Sequence, residues 1–278
     1  MAGVPSGDAF LGGQSRLKAV PRRGTPGQNC PPSQAARRII SNMPDKISIK
    51  IDGEYIEATA GQTILEAARA NKKYIPTLCY LEGLSAVGAC RLCIVEVSGV
   101  GRLLPACTTP VQDGMSVTTN SEKLTRYRRM AIEFLFSERN HYCAVCVSSG
   151  HCELQSMAQK LGVTFVEYPY SYPLLPVDMS HERFVLDHNR CILCTRCVRV
   201  CDEVEGAHVL DVAYRGIRSM ISCDLNRPWG QARNCTSCGK CVQVCPTGAL
   251  AEKGWAVEEM TKRVDNITWL AVRRGGNQ

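Results

Sequence analysis

Two copies of one cysteine spacing constrain this chain more than any other feature: Cys191-x2-Cys194-x2-Cys197-x3-Cys201 and Cys235-x2-Cys238-x2-Cys241-x3-Cys245-Pro246. Thiols at this density serve either as disulfides or as metal ligands, and the redox compartment decides which. The chain opens with MAGVPSGDAFLGG, which lacks a basic start followed by a continuous apolar stretch, and no 18-residue apolar run occurs in it. Neither a secretory signal nor a membrane span is expected. Of the 17 cysteines, all but Cys30 and Cys223 are therefore expected to bind metal in a reducing, cytoplasmic setting.

In each run three closely spaced thiolates suit one face of a [4Fe-4S] cube, and the fourth cysteine reaches the neighbouring cluster. This assigns one cube to Cys191, Cys194, Cys197 and Cys245, and a second to Cys235, Cys238, Cys241 and Cys201. Pro246 is expected to end the helix that carries Cys245, whereas the first copy has Asp202 in the equivalent position. Zinc takes four ligands per ion, and runs of this shape would leave cysteines unplaced or require spacing unusual for a zinc ribbon.

Two further groups precede these runs. Cys79-x10-Cys90-x2-Cys93-x13-Cys107 resembles the plant-type [2Fe-2S] loop, with a longer first gap. Gly83, Gly88 and Ala89 are expected to keep side chains away from the backbone near that cluster, and Pro76 and Pro105 to stiffen its approaches. His141-x-Cys143-x2-Cys146-x5-Cys152 offers three thiolates and an imidazole for a third [4Fe-4S] cluster, with one negative charge fewer than a four-cysteine site. His151 competes with His141 for that role. Cys30 and Cys223 have no partner at ligand spacing and are expected to be uncoordinated, and His181, His188 and His208 are assigned no chemistry.

The intervening pattern predicts an α+β chain. Ile47, Ile49 and Ile51 alternate with polar residues, Asp52-Gly53 marks a hairpin turn and Tyr55-Ile56-Glu57 starts the returning strand. Thr63 and Glu66 form a capping box for a helix ending near Asn71. With strands at 94–97 and 115–118, residues 43–120 read as an N-terminal β-grasp [2Fe-2S] ferredoxin-like domain. Residues 121–160 read as a helical, loop-rich His/Cys3 segment whose helix, 122–137, turns Leu124, Tyr127, Ala131, Phe134 and Leu135 to the core and Arg126, Arg128 and Arg129 away from it. A proline-broken connector (161–180), a C-terminal two-cluster ferredoxin-like domain (181–255) and a tail (256–278) follow.

The formal charge of +7 does not indicate a nucleic-acid surface. Residues 1–42 hold six Lys/Arg and one acid, Asp8, and they read as disordered, or as an extension ahead of a start at Met43. Fifteen ligating thiolates would leave the body net negative by roughly five units. Gly99-Val-Gly101 falls short of a GxGxxG nucleotide loop and reads as a turn between ligands. A flavin or nicotinamide site is expected on a partner.

Several stretches are recognisable: Ile75-Pro-Thr-Leu-Cys79, Asn140-His-Tyr-Cys143, Cys152-Glu-Leu-Gln155, the run from Asp187 to Cys201 and Asn234-Cys-Thr-Ser-Cys-Gly-Lys-Cys241. Through them residues 43–251 closely resemble the HoxU family, the small iron–sulfur diaphorase subunits of bidirectional NAD(P)-linked [NiFe] hydrogenases. The family is similar in turn to the N-terminal part of the complex I NuoG subunit. The resemblance implies an electron relay between a flavoprotein NAD(P)H-binding diaphorase subunit and the [NiFe] hydrogenase small and large subunits, with a further small [2Fe-2S] subunit as an additional partner. In the complex I relatives the ligand histidine stands four residues before the first cysteine, where this chain has Arg139; His141 is displaced by two. A NuoG-like subunit of NADH:quinone oxidoreductase is the second reading, weakened by the 33 residues that follow Cys245, where the complex I subunit continues into a large domain. The electron-transfer subunit of an NAD-linked formate dehydrogenase is the third.

Overall fold

In β1 (Lys46–Ile51), Ile47, Ile49 and Ile51 are buried while Lys46 and Ser48 face solvent, the period-2 pattern of a half-buried strand. The computed structural model describes residues 46–275, so Cys30 and the 1–42 leader lie outside the described residues. β1 pairs antiparallel with β2 (Glu54–Thr59), with Ile51 opposite Glu54. Asp52 (φ 50°) and Gly53 (φ 90°) make the two-residue left-handed turn that such a hairpin favours. The capping box forms at α1 (Ile64–Ala70): the Thr63 hydroxyl accepts from Glu66 N, and the Glu66 carboxylate accepts from Thr63 N at 2.8 Å. This fixes the end of a short helix that buries Ile64, Leu65, Ala67 and Ala68.

β3 (Ile94–Val97), β4 (Leu104–Pro105) and β5 (Ser116–Thr118) complete a five-stranded sheet of order β2-β1-β5-β3-β4. β1 and β5 run parallel and the other pairs antiparallel, the topology expected of a β-grasp unit. β4 escapes the sequence pattern because two residues show no alternation.

α2 (Glu122–Glu138) begins at Ser121, whose hydroxyl accepts from Leu124 N at 3.2 Å. Its buried side differs from expectation. Leu124, Arg128 and Ile132 face inward, whereas Tyr127 and Phe134 are 44% and 47% exposed. Arg128 turns inward because its guanidinium donates to Leu92 O at 3.0 Å and Ile94 O at 2.8 Å, the two carbonyls flanking Cys93. A buried cation is tolerated when hydrogen bonds of this kind replace water. Phe134 packs instead on Tyr168 in the connector, ring centroids 4.4 Å apart.

α3 (Glu153–Leu161) ends on left-handed Gly162, and residues 163–176 run without regular structure. β6 (Val177–Asp178) and β7 (Phe184–Asp187) lead to α4 (Arg196–Arg199), whose continuation widens over Val200–Glu205. The hairpin of β8 (Leu210–Ala213) and β9 (Met220–Cys223) is followed by α5 (Lys240–Val244) and β10 (Leu250–Glu252), which returns to β7. The two cysteine runs repeat one backbone: Leu193 and Thr195 have φ of 51° and 58°, Ser237 and Gly239 of 52° and 72°. α5 stops at Cys245-Pro246 as expected. Without proline at Asp202, the first copy continues through its wide turn to left-handed Gly206.

The segment read as a tail contains α6 (Val264–Gly275), which buries Ile267 and Ala271. A Cβ on Gly83 would stand 2.6 Å from Ala271 Cβ, so Gly83 admits this helix rather than clearing space around a cluster. The predicted domains share apolar contacts. Leu78, Leu92, Ile132, Leu154 and Ile192 pack with Cys79, Cys152 and Cys194 in one buried group.

Arg128→Met should leave two buried carbonyls without donors and lower stability by roughly 2–5 kcal/mol. Tyr127→Ser, on the exposed side, should cost under about 0.5 kcal/mol. Thermal loss of visible absorbance in the two variants measures both effects; equal losses would restore the face inferred from sequence.

Candidate metal centres

Four groups of sulfur atoms converge in this fold, each assembled from short backbone segments. The first lies in the loop after α1, closed by Cys107 after β4. Cys93 Sγ is 3.4 Å from Cys107 Sγ, Leu78 N donates to Cys90 Sγ at 3.4 Å and Cys90 N donates to Cys79 Sγ at 3.5 Å. Hydrogen bonds from Cys107 and then Cys90 draw the Cys79 thiol below its ordinary pKa. The matching bonds to Cys79 push Cys90 and Cys107 up, while Cys93 is lowered by Cys107. Four thiols so placed share protons that metal would displace.

The second group surrounds a cavity lined by His141, Cys143, Cys146 and Cys152, together with Phe136, Thr247 and Gly248. His141 hydrogen-bonds to the Leu135 backbone, and its buried Nε2 has no partner. Burial is the main cause that lowers its pKa to about 4, so the ring is neutral at neutral pH with a free lone pair, the state in which imidazole binds metal. His151 is exposed and does not line the cavity. Gly248 is required by contact, since a Cβ there would meet Cys146 Sγ at 2.5 Å.

The third cavity is lined by Cys191, Cys194, Cys197 and Cys245, and the fourth by Cys201, Cys235, Cys238 and Cys241. Each run thus reaches across to the other's cavity with its last cysteine. Burial, followed by neighbouring thiols, pushes Cys191 to about 12 and Cys194 to about 11, and holds Cys197 and Cys241 well above the ordinary thiol range. Cys238 is exposed. Cys223 lines neither cavity, and burial pushes its thiol up to about 12.

The residues suit polynuclear groups better than single ions. Zinc draws four sulfurs to about 2.3 Å from one point, whereas here four Cys or His donors line each of three cavities, the donor set that an iron–sulfur cluster takes.

Sequence reasoning missed several neighbours. His181, assigned no chemistry, has Nε2 3.9 Å from Cys235 Sγ and 3.1 Å from Ser237 Oγ. Arg196 donates from both terminal nitrogens to the Glu153 carboxylate, at 2.6 and 2.9 Å, and to Tyr80 O at 3.0 Å. It thereby ties together residues beside Cys79, Cys152 and Cys197. A signal was present: Arg196 and Arg199 lie three apart inside the first run, where the second has Lys240 and Gln243.

Fold and thiol groups define an iron–sulfur protein in three successive units. Residues 44–122 match the 2Fe-2S iron-sulfur cluster binding domain, 128–167 the NADH-ubiquinone oxidoreductase-G iron-sulfur binding region and 183–251 the ferredoxin-like domain of NADH-quinone oxidoreductase subunit 3. The chain belongs to the family of the NAD-reducing hydrogenase HoxS subunit gamma: it is 36% identical to that subunit from Cupriavidus necator over 208 residues, 74% of this chain and 87% of the relative. It is 39% identical over 234 residues to the NADP-reducing hydrogenase subunit HndD of Solidesulfovibrio fructosivorans, covering 80% of this chain and 39% of that longer protein. A chain in the crystal structure of NAD+-reducing [NiFe]-hydrogenase in the H2-reduced state superposes with a TM-score of 0.72 at 37% identity, covering 82% of this chain and 98% of that one. Among the described residues no helix is long and apolar enough to cross a membrane.

Gly248→Ala should displace Cys146 and lower the iron bound by the loaded chain, leaving the other groups loaded. Iron analysis with electron paramagnetic resonance (EPR) of the reduced chain measures this; full loading would mean that the contact relaxes at no cost to the site.

Proposed function

We propose that this chain is the electron-relay subunit of the diaphorase module of a bidirectional NAD(P)-reducing [NiFe] hydrogenase. On this reading Cys79, Cys90, Cys93 and Cys107 hold one [2Fe-2S] cluster. Three [4Fe-4S] clusters are held by His141, Cys143, Cys146 and Cys152; by Cys191, Cys194, Cys197 and Cys245; and by Cys235, Cys238, Cys241 and Cys201. Such clusters, when bound, supply one-electron acceptance and donation. The protein's own contribution is to hold the thiol groups within one packed unit and to surround them with apolar side chains and fixed donors. The partners are a flavoprotein NAD(P)H-binding diaphorase subunit, the hydrogenase small and large subunits and a further small [2Fe-2S] subunit, in the cytoplasm. The functional regions are 43–120, 121–160 and 181–255, joined by 161–180.

The observation that carries the reading is the likeness over nearly the whole length of a chain of an NAD+-reducing [NiFe]-hydrogenase, combined with four separate sulfur groups. The family descriptions of residues 128–167 and 183–251 favour a second reading, a NuoG-like subunit of NADH:quinone oxidoreductase, which shares the clusters and differs in the electron acceptor.

Purification with native partners discriminates the two. The expected complex contains a [NiFe] hydrogenase pair and reduces NAD(P)+ with H2; co-purification with membrane-arm subunits would transfer the assignment to the quinone reading. Within the complex, Cys241→Ser should impair H2-dependent NAD(P)+ reduction at least about tenfold while NAD(P)H oxidation by a dye acceptor is largely kept. Stoichiometric zinc in place of roughly 14 irons would end both readings.

A further inference from the structure

Arg199 is 5% exposed, and its guanidinium makes hydrogen bonds only to neutral oxygens. Nη2 donates to Cys79 O at 2.6 Å and to Cys194 O at 3.0 Å, Nη1 donates to Ser85 O, and Nε donates to Thr195 Oγ1 at 3.3 Å. One nitrogen therefore bridges the peptide of a cysteine in the first sulfur group and the peptide of a cysteine in the third. The neighbouring buried cation, Arg196, is compensated by the Glu153 carboxylate. Glu203, the acid nearest Arg199 in effect, is exposed and engages Ser85 from the solvent side.

We propose that Arg199 is a positioning residue that sets the reduction potentials of the [2Fe-2S] site at Cys79 and the [4Fe-4S] site at Cys194 jointly. The proposal rests on the ligand assignment above. Each of the two sites gains one negative charge per electron received, and a fixed cation held against a ligand's peptide stabilises that added charge. Burial removes the water that would otherwise screen it. In the second cysteine run the equivalent position is the neutral Gln243. The Arg199 guanidinium hydrogen-bonds to Cys79, Cys194, Ser85 and Thr195 and to none of Cys235, Cys238, Cys241 and Cys201, so that group should be the one left unmoved.

The test is an EPR-monitored redox titration of the full iron-loaded chain, with signals assigned through single Cys→Ser variants. In Arg199→Gln, the [2Fe-2S] centre and the Cys191/Cys194/Cys197/Cys245 centre should each be about tenfold less reduced at their wild-type midpoint, a shift of about 59 mV for one electron, with the Cys235 centre unmoved. Arg199→Lys keeps the charge without the forked geometry and should hold both midpoints to less than about a threefold change in that ratio, a rescue that a purely structural role would not give. A shift in one centre alone, in all centres alike or in none overturns the proposal. If Arg199→Gln loads less iron, Arg199→Lys decides. Full loading with both midpoints held supports the proposal; displaced midpoints or lost iron overturn it, because shape rather than charge then suffices. A wild-type chain without one [2Fe-2S] and three [4Fe-4S] signals sinks the ligand assignment itself, and the proposal with it.

Discussion

The exchange of one cysteine between the two runs is the constraint on which the C-terminal half depends. Cys245 stands in the cavity of the first run and Cys201 in that of the second, so neither group can assemble until both runs have folded together. The exchange is made possible by paired helical turns: α4 with its widened continuation delivers Cys201, and α5 delivers Cys245 before Pro246 stops it. Around them the apolar core is modest, built from Phe184, Leu186, Val200, Trp229, Val242 and Val244 with the cysteines among them. In a domain this small, metal ligation adds folding free energy that packing alone supplies sparingly.

The elements legible in the sequence are those whose cause is local. The β1–β2 hairpin follows from alternation and a two-residue turn, α1 from a capping box four residues long, and the sulfur groups from spacings of two and three residues on a continuous backbone. What escaped depends on contacts far apart in sequence. Arg128 looked like a solvent-facing residue because charge normally points outward; it turns inward to satisfy Leu92 and Ile94, more than 30 residues away. α6 looked like a tail because its buried residues, Ile267 and Ala271, become meaningful only against a glycine at position 83.

The histidine illustrates the same division. Spacing alone left His141 and His151 as rivals, since each lies close to a cysteine of its group. Burial separates them: His141 stands against Phe136 with an unpartnered nitrogen, whereas His151 is in solvent. The displacement of the histidine from position 139 also leaves Arg139, 2% exposed and donating to Ser219 O at 2.8 Å, close enough that its charge favours the Cys191 thiolate.

Among the described residues Arg139 is one of four buried arginines, and each of the four lies within electrostatic reach of a cysteine. Cys93 favours the charged form of Arg128, and Arg196 and Arg199 favour the charged form of Cys194. Burying a guanidinium costs several kcal/mol unless hydrogen bonds and opposite charge offset the loss of water; here backbone carbonyls accept from all four, and the Glu153 carboxylate supplies opposite charge to Arg196. The arrangement is lopsided. All four arginines attend the first three sulfur groups, while the fourth has Lys240, engaged with Glu205 near the surface, and the exposed Cys238. Two cysteine runs with the same spacing and the same backbone conformation are thus placed in different electrostatic surroundings. The repeat fixes the ligand geometry, and the residues between the cysteines differentiate the sites.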